Sequence, residues 1–403
     1  MTSAPSVAVD VVIAVHQPTR PVERAVASVL DGTRAPVRVT VVVHNTDAEP
    51  IRRRLGDHLA DERLRVVEYR DGIPSPAGPM NHGLELATAP YASLLGSDDA
   101  FEPGAIDAWL TAARLPGGEP ADAVIAPIRI STGGEQAHPP ARPSRVRRGL
   151  PLDPVRDRLV YRAAPLGLIG RARFAGLRFP EGLQTGEDQP FSATMWFTAG
   201  SRVVFPAAGP GYLGHEDQSD RVTFAARAVT DELRVLDDLL DPAAVWMRRR
   251  SDRVSVVTKF IRSTLFDAVA SRVEDRWNSG TTAELAAAAA RLRDCEPRAV
   301  GLLARAEGRL FSKILAGDAI AAELTPCSPS DRGCGALAPS SRTAGGWSCI
   351  RRLRSACTSR RSRSAGSCAA KRRQRRLVLR TGRLLTASST MGEMQCRSQI
   401  DVR

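Results

Sequence analysis

Residues 1–225 predict an α/β layer fold with a mostly parallel sheet, and two observations carry that reading. Strand-like and helix-like segments alternate along this stretch. The strand-like runs are β-branched and apolar, as buried strands are, and the segments between them repeat apolar residues at helical spacing.

The first run, residues 9–15, reads as a core strand and not a leader, because Asp10 interrupts it and no basic segment precedes it. Thr19 and Pro21 open a helix whose apolar face is Val22, Val26 and Val29-Leu30. Residues 37–43 form a second strand, with Ile51 and Leu55 in the following helix. Residues 64–69 form a third, ending in the turn-rich stretch 71–79. A short helix is expected over 81–89 and a strand over 91–95. Pro103 then starts a helix with Ile106, Trp109, Leu110 and Ala113 on one face. Residues 121–130 read as a further strand, 139–148 as a basic loop, and 159–169 and 202–212 as late strands.

Beyond residue 225 the pattern is helical alone. Val257, Ile261, Leu265 and Val269 mark one helix, the alanine-rich stretch after Thr282 another, and residues 302–315 a third. Residues 226–325 are therefore expected to form a small all-α domain that packs on the first domain or on a second subunit. Residues 326–403 lack sustained periodicity and are rich in Ser, Arg and Gly, so they are expected to be disordered.

The formal net charge of +13 over 403 residues invites a nucleic-acid reading, and its location argues against one for the body. After Thr325, 17 Lys and Arg stand against 3 Asp and Glu, whereas the preceding residues carry 40 against 41. Of seven cysteines, only Cys295 lies in the body, which suits a reducing compartment. The tail is read either as an arm attracting nucleic acid or anionic lipid, or as sequence from a shifted reading frame in a GC-rich gene. No stretch approaches the roughly 20 apolar residues a membrane-spanning helix needs. A cytoplasmic protein, at most peripheral at the inner face of a membrane, is the expectation; nucleic acid is not an expected partner.

Two acidic motifs carry the chemistry. In Leu94-Leu95-Gly96-Ser97-Asp98-Asp99 a strand runs into adjacent carboxylates, at the sheet edge where open α/β folds bind ligands. Mg²⁺ or Mn²⁺ takes one or two carboxylates plus diphosphate oxygens, so the pair suits such an ion; capping of the next helix is the alternative. In Thr185-Gly186-Glu187-Asp188-Gln189 two carboxylates after a glycine either cap a helix carrying Phe191, Met195 and Trp196 or present a general base to a hydroxyl.

The order of four segments resembles the family 2 glycosyltransferases of the GT-A fold over about residues 8–225. These are the Asp10-Val11-Val12-Ile13-Ala14-Val15-His16 opening, Pro79-Met80-Asn81-His82-Gly83-Leu84-Glu85-Leu86-Ala87, Ser97-Asp98-Asp99 and Gly186-Glu187-Asp188. The resemblance implies a nucleoside-diphosphate-sugar donor bound by Ala14, His16, Asn45, Asp47, Asn81 and Asp98. It implies a Mn²⁺ or Mg²⁺ ion on Asp98 and Asp99 with His215 of Gly214-His215-Glu216-Asp217 nearby, and Asp188 as catalytic base with Glu187 beside it. The acceptor is expected to be a hydroxyl of a glycan, a lipid-linked saccharide or a polyol, in the service of cell-envelope polysaccharide synthesis. One base opposite one leaving group implies inversion at the anomeric carbon. Homo-oligomerisation is compatible with this reading.

Two positions depart from the family pattern. The place of the base-reading aspartate after the second strand is taken by His44-Asn45-Thr46-Asp47, and Gly96 stands where a further aspartate often begins the acidic motif. Arg171 and Arg173 are candidates for binding diphosphate or an anionic acceptor. The rival readings are a degenerate, non-catalytic transferase and a nucleic-acid adaptor working through the tail.

Overall fold

A computed structural model describes residues 6–132, 135–137, 151–217, 227–270 and 279–318. The basic tail and the whole of the 139–148 loop lie outside the described residues. β1 (Val9–Val15), α1 (Val22–Leu30), β2 (Val37–His44), α2 (Ala48–Leu55) and β3 (Leu64–Tyr69) follow the predicted order. Next come α3 (Ala77–Leu86), β4 (Tyr91–Leu94), β5 (Ala100–Phe101), α4 (Ala105–Ala112), β6 (Ala123–Ile125), β7 (Ile128–Thr132) and β8 (Glu135–Ala137). β9 (Gly167–Gly170), α5 (Arg171–Phe174), α6 (Asp188–Phe197), β10 (Val203–Val204) and β11 (Tyr212–His215) complete the α/β part.

The main sheet has seven strands in the order β10-β6-β9-β4-β1-β2-β3. β1 pairs in parallel with β2 and β4, β2 with β3, and β10 with β6, while β9 runs antiparallel to both its neighbours. The ends of β1, β2, β3 and β4 therefore share one carboxyl edge. A smaller sheet, β5-β11-β7-β8, stands beside it. Helices cover the main sheet because β1 and β2 are buried along nearly their whole length, so both faces need apolar partners.

Several elements differ from the sequence expectation for local reasons. α3 begins at Ala77, four residues early: Pro76 is its N-cap residue and Pro79 falls in the first turn, where a missing N–H costs no intrahelical bond. α4 begins after Gly104, not at Pro103, because Gly104 adopts a left-handed conformation (φ 78°) at the N-cap. The expected 121–130 strand divides into β6 and β7, which belong to different sheets, with Pro127 at the break. In the expected 159–169 strand only β9 pairs; Leu159–Tyr161 is a 3₁₀ turn whose Leu159 and Val160 are buried without a strand partner.

The helical region comprises α7 (Val229–Leu233), α8 (Leu236–Leu239), α9 (Arg250–Phe260), a five-residue π turn (Ile261–Leu265) and α10 (Phe266–Ala270). α11 (Ser279–Cys295), α12 (Pro297–Gly301) and α13 (Arg305–Ala316) follow. One apolar cluster runs without a break from Val12 and Leu94 of the sheet, through Phe191 and Trp196 of α6, to Val257, Phe260 and Phe311. The helices are thus built onto the face of the sheet that α6 covers. Among the described residues no helix is long and apolar enough to cross a membrane.

The charge inside β1 has a structural partner set. Asp10 is fully buried; its carboxylate takes Arg38 Nε at 2.7 Å and Nη2 at 3.0 Å, and the N–H groups of Thr88 and Ala89 at 2.6 and 2.8 Å. Burial opposes ionisation, yet Arg38 and the two amides outweigh it and hold the carboxyl below its ordinary 3.8. Its stabilising effect is therefore present above about pH 4 and is lost as the pH falls below that. Asp10→Ala leaves Arg38 and two amides without their acceptor, and it is expected to lower the unfolding free energy by about 3–5 kcal/mol in urea titrations.

Candidate functional site

β4 delivers Gly96-Ser97-Asp98-Asp99 to the carboxyl edge, and β5 begins at the very next residue. Neither aspartate caps α4, whose N-cap is Gly104 with no side-chain bond, so the capping alternative does not describe this motif. β5 pairs antiparallel with β11, Ala100 opposite Leu213 and Phe101 opposite Tyr212. That register carries β11 across Asp99. The Tyr212 hydroxyl donates to Asp99 Oδ2, and the His215 backbone N–H donates to Oδ1 at 2.8 Å. Burial, with Asp99 beside it, pushes the Tyr212 phenol well above its usual value, so it stays a donor.

Asp98 faces the first helix. Arg20 Nη1 lies 2.8 Å from Asp98 Oδ2, and the guanidinium is almost wholly buried. Arg24 donates to the Asp98 carbonyl and pairs with Asp217 Oδ2 at 2.7 Å. The structure therefore brings together Asp98, Asp99, the His215 backbone and two arginines that sequence reasoning missed. Gly96 is explained by the same geometry. A Cβ there would lie 2.7 Å from Asp99 Oδ2, 3.0 Å from Tyr212 Oη and 3.3 Å from Asp98 Oδ1.

Among the described residues no three His, Cys, Asp or Glu side chains are gathered closely enough to hold a metal ion by themselves. The chemistry of the donor set still fits a divalent cation shared with a ligand. Mg²⁺ and Mn²⁺ commonly take one or two carboxylates and complete their shell with phosphate oxygens and water. Both carboxylates converge on the space above Gly96 that a side chain there would fill.

At the ends of β2 and β3 the sequence-predicted residues have structural partners. Asn45, in a left-handed conformation (φ 52°), accepts the N–H groups of Asp71 and Gly72 at 3.1 and 3.0 Å and donates to Asp71 Oδ1 at 3.0 Å. His44 Nε2 lies 2.8 Å from the same Asp71 oxygen. Desolvation would raise the Asp71 carboxyl, but hydrogen bonds from Ile73, His44 and Asn45 hold it low. A carboxylate thus does stand beside the end of β2, supplied by the loop after β3. Asp47 caps α2, accepting from Glu49 N–H at 3.1 Å. Asn81, buried in α3, clamps Phe179 through both backbone groups, at 2.8 and 3.0 Å. Ala14 is half-buried in β1 and His16 is exposed just past its end.

The second acidic pair opens α6. Gly186 bends the chain with φ 83°, Glu187 is the N-cap residue without a side-chain capping bond, and Asp188 is the first helical residue. The loop leading to it reaches the carboxyl edge through Ser75, after β3, whose hydroxyl donates to Leu183 O at 2.7 Å. Burial, together with Asp188 beside it, raises the Glu187 carboxyl to about 7. Burial also raises Asp188, opposed by Lys259 and by N–H groups of its own first turn. Lys259, on α9, is 5% exposed, and its ammonium donates to Gln189 Oε1. A lysine inside the apolar run Val256 to Ile261 was the sequence signal for it. Arg171 and Arg173 lie elsewhere: Arg171 bonds Pro90 O and Ala89 O at the amino end of β4, and Arg173 bonds Ala199 O. α5 starts where antiparallel β9 ends, which is the edge opposite Asp98-Asp99.

The crowding at Gly96 has a measurable consequence. Gly96→Ala must displace Asp99 or Tyr212, and a loss of about 1–3 kcal/mol in unfolding free energy is expected, as for other overpacked sites. A thermal midpoint equal to that of the unsubstituted protein would contradict the Asp99–Tyr212 arrangement.

No protein-family model and no curated protein sequence matches this chain. Solved structures do. The TarS 1–349 fragment of S. aureus in complex with UDP-GlcNAc superposes with a TM-score of 0.63 at 14% identity, over 77% of this chain and 88% of that one. The same fragment in complex with UDP gives 0.59 at 15% identity over the same shares. S. aureus TarS itself gives 0.59 at 14%, with 77% of this chain and 53% of that chain covered. At this identity the likeness is one of fold: a mostly parallel central sheet flanked by helices, matching a GT-A-like glycosyltransferase fold.

Proposed function

We propose that this chain transfers a sugar from a nucleoside-diphosphate donor to a hydroxyl of a glycan, lipid-linked or polyol acceptor, with inversion. The observation that carries the reading is Asp98-Asp99 at the carboxyl edge, with Asp99 fixed from both oxygens by β11, in a fold shared with a structure that holds UDP-GlcNAc. The ends of β1 and β2, with Asp71 held by His44 and Asn45, lie where the nucleoside would bind. Asp98 and Asp99, with His215, would hold a Mn²⁺ or Mg²⁺ ion together with the diphosphate. When bound, that ion supplies charge neutralisation for the departing diphosphate. Arg20 and Arg24 bring positive charge to the same place.

Asp188 is the residue assigned as base. A sugar hydroxyl is a poor nucleophile until its proton is taken, and a carboxylate at the first turn of α6 accepts that proton as the new C–O bond forms. The anomeric carbon–oxygen bond breaks on the other side, and the nucleoside diphosphate leaves with the electron pair. Glu187, raised to about 7, is about half protonated at pH 7, and in its protonated form it would be able to donate a hydrogen bond to the acceptor.

A panel of nucleotide sugars assayed with Mn²⁺ or Mg²⁺ tests the reading. At least one donor is expected to be hydrolysed or transferred in a metal-dependent way. Asp188→Asn should then lower turnover by about 10²-fold or more with donor binding retained, in line with the usual size of base catalysis. Asp99→Ala should weaken metal and donor binding together. Full activity in both variants would refute the assignment.

A further inference from the structure

We propose that Lys259, supplied by the helical region, is a positioning residue that keeps Asp188 as a carboxylate and fixes the first turn of α6; the proposal rests on the glycosyl-transfer reading of that site. A lysine ammonium is seldom buried, because leaving water is costly unless specific groups answer the charge. α9 is covered all round from Val256 to Ile261, and Lys259 lies within that buried run. Its Nζ donates to Gln189 Oε1, next in sequence to Asp188, and lies 4.1 Å from the Phe260 ring centroid. The carboxylates that face it electrostatically are Asp188 and, from α10, Asp267.

The two acids of the loop are thereby made unequal. Adjacent carboxyls that share a dehydrated site cannot both ionise readily. Glu187 has the cation of Arg227 in its surroundings, and Asp188 has Lys259 together with N–H groups of its own helix turn. The buried ammonium draws Asp188 toward its charged form, against the burial that opposes it, as a base requires.

Local backbone geometry points the same way. α9 passes into the π turn Ile261–Leu265 two residues after Lys259, and the Ser263 hydroxyl donates to the Lys259 carbonyl at 2.9 Å. π turns inside helices gather at functional sites, where the extra residue re-aims a side chain. Desolvation lowers the ammonium to about 8, so its charge is present at neutral pH and fades in alkali.

The test is a pH titration of Asp188 by carbon NMR on protein labelled at the aspartate carboxyl, with the signal assigned by its loss in Asp188→Asn. In Lys259→Met the Asp188 midpoint is expected to rise by about a unit or more, whereas Lys259→Arg keeps it near the native value. Lys259→Gln, which keeps a donor for Gln189 but no charge, replaces the methionine variant if that one does not fold. In turnover assays the neutral variant should lose kcat with donor KM unchanged, by about 10-fold at pH values below both midpoints and by less as the pH passes above them, since one unit of pKa is tenfold in the ionised fraction. An unmoved midpoint in a folded neutral variant, or a kcat loss equal at every pH, overturns the proposal. The titration needs no donor. A protein that turns over no nucleotide sugar would remove the functional reading and still leave the coupling of Lys259 to Asp188 decided.

Discussion

Neighbouring carboxylates leave water together only when other groups answer their charge, and this chain carries two such pairs, Asp98-Asp99 and Glu187-Asp188. At Asp98 the answer is the buried guanidinium of Arg20, and at Asp99 it is a phenol and a backbone amide. Beside Asp188, the buried ammonium of Lys259 bonds the Gln189 side chain and offsets part of the burial that opposes the Asp188 charge. Each partner comes from a different part of the chain: the turn before α1, β11 and α9. The arrangement of strands and helices is therefore bound to the electrostatics of two short acidic motifs.

The small sheet acquires its meaning from this constraint. β5 is only two residues long and contributes little area, yet pairing with β11 sets Tyr212 and His215 over Asp99. Glu102 extends the same tie, receiving the Gly211 N–H at 2.7 Å. The helical region is bound in a comparable way. Its core is continuous with that of α6, and Val235 packs against the bend at Gly186 while Lys259 reaches Gln189. An apolar cluster of this extent transmits a substitution in α9 to the first turn of α6, since close-packed interiors accommodate volume changes poorly.

Much of the framework was legible in the sequence. β1 and β2 were readable because strands buried on both faces are written as near-continuous apolar runs, and Asp98-Asp99 because they close such a run. The partners of the acidic residues were not readable. Tyr212, Arg20 and Lys259 are 113, 78 and 71 positions or thereabouts from the groups they serve, and nothing local marks a contact fixed by strand register or helix packing. The order of motifs pointed to Asn45, Asp47 and Asn81 as donor contacts, and in the fold they bond a loop, a helix terminus and the Phe179 backbone. Short amides and carboxylates serve backbone and ligand equally well, so their type alone does not say which. The strand expected over 121–130 failed at Pro127, where the chain passes from one sheet to the other.

The central claim is that the carboxyl edge beside Asp98 and Asp99 receives a nucleoside diphosphate. A crystal structure of the protein with UDP or GDP and Mn²⁺ tests it most directly. The account predicts density for the nucleoside over the ends of β1 and β2, with the diphosphate between Asp98-Asp99 and Arg20. Nucleotide bound elsewhere on the chain, or none bound at millimolar concentration, would contradict it.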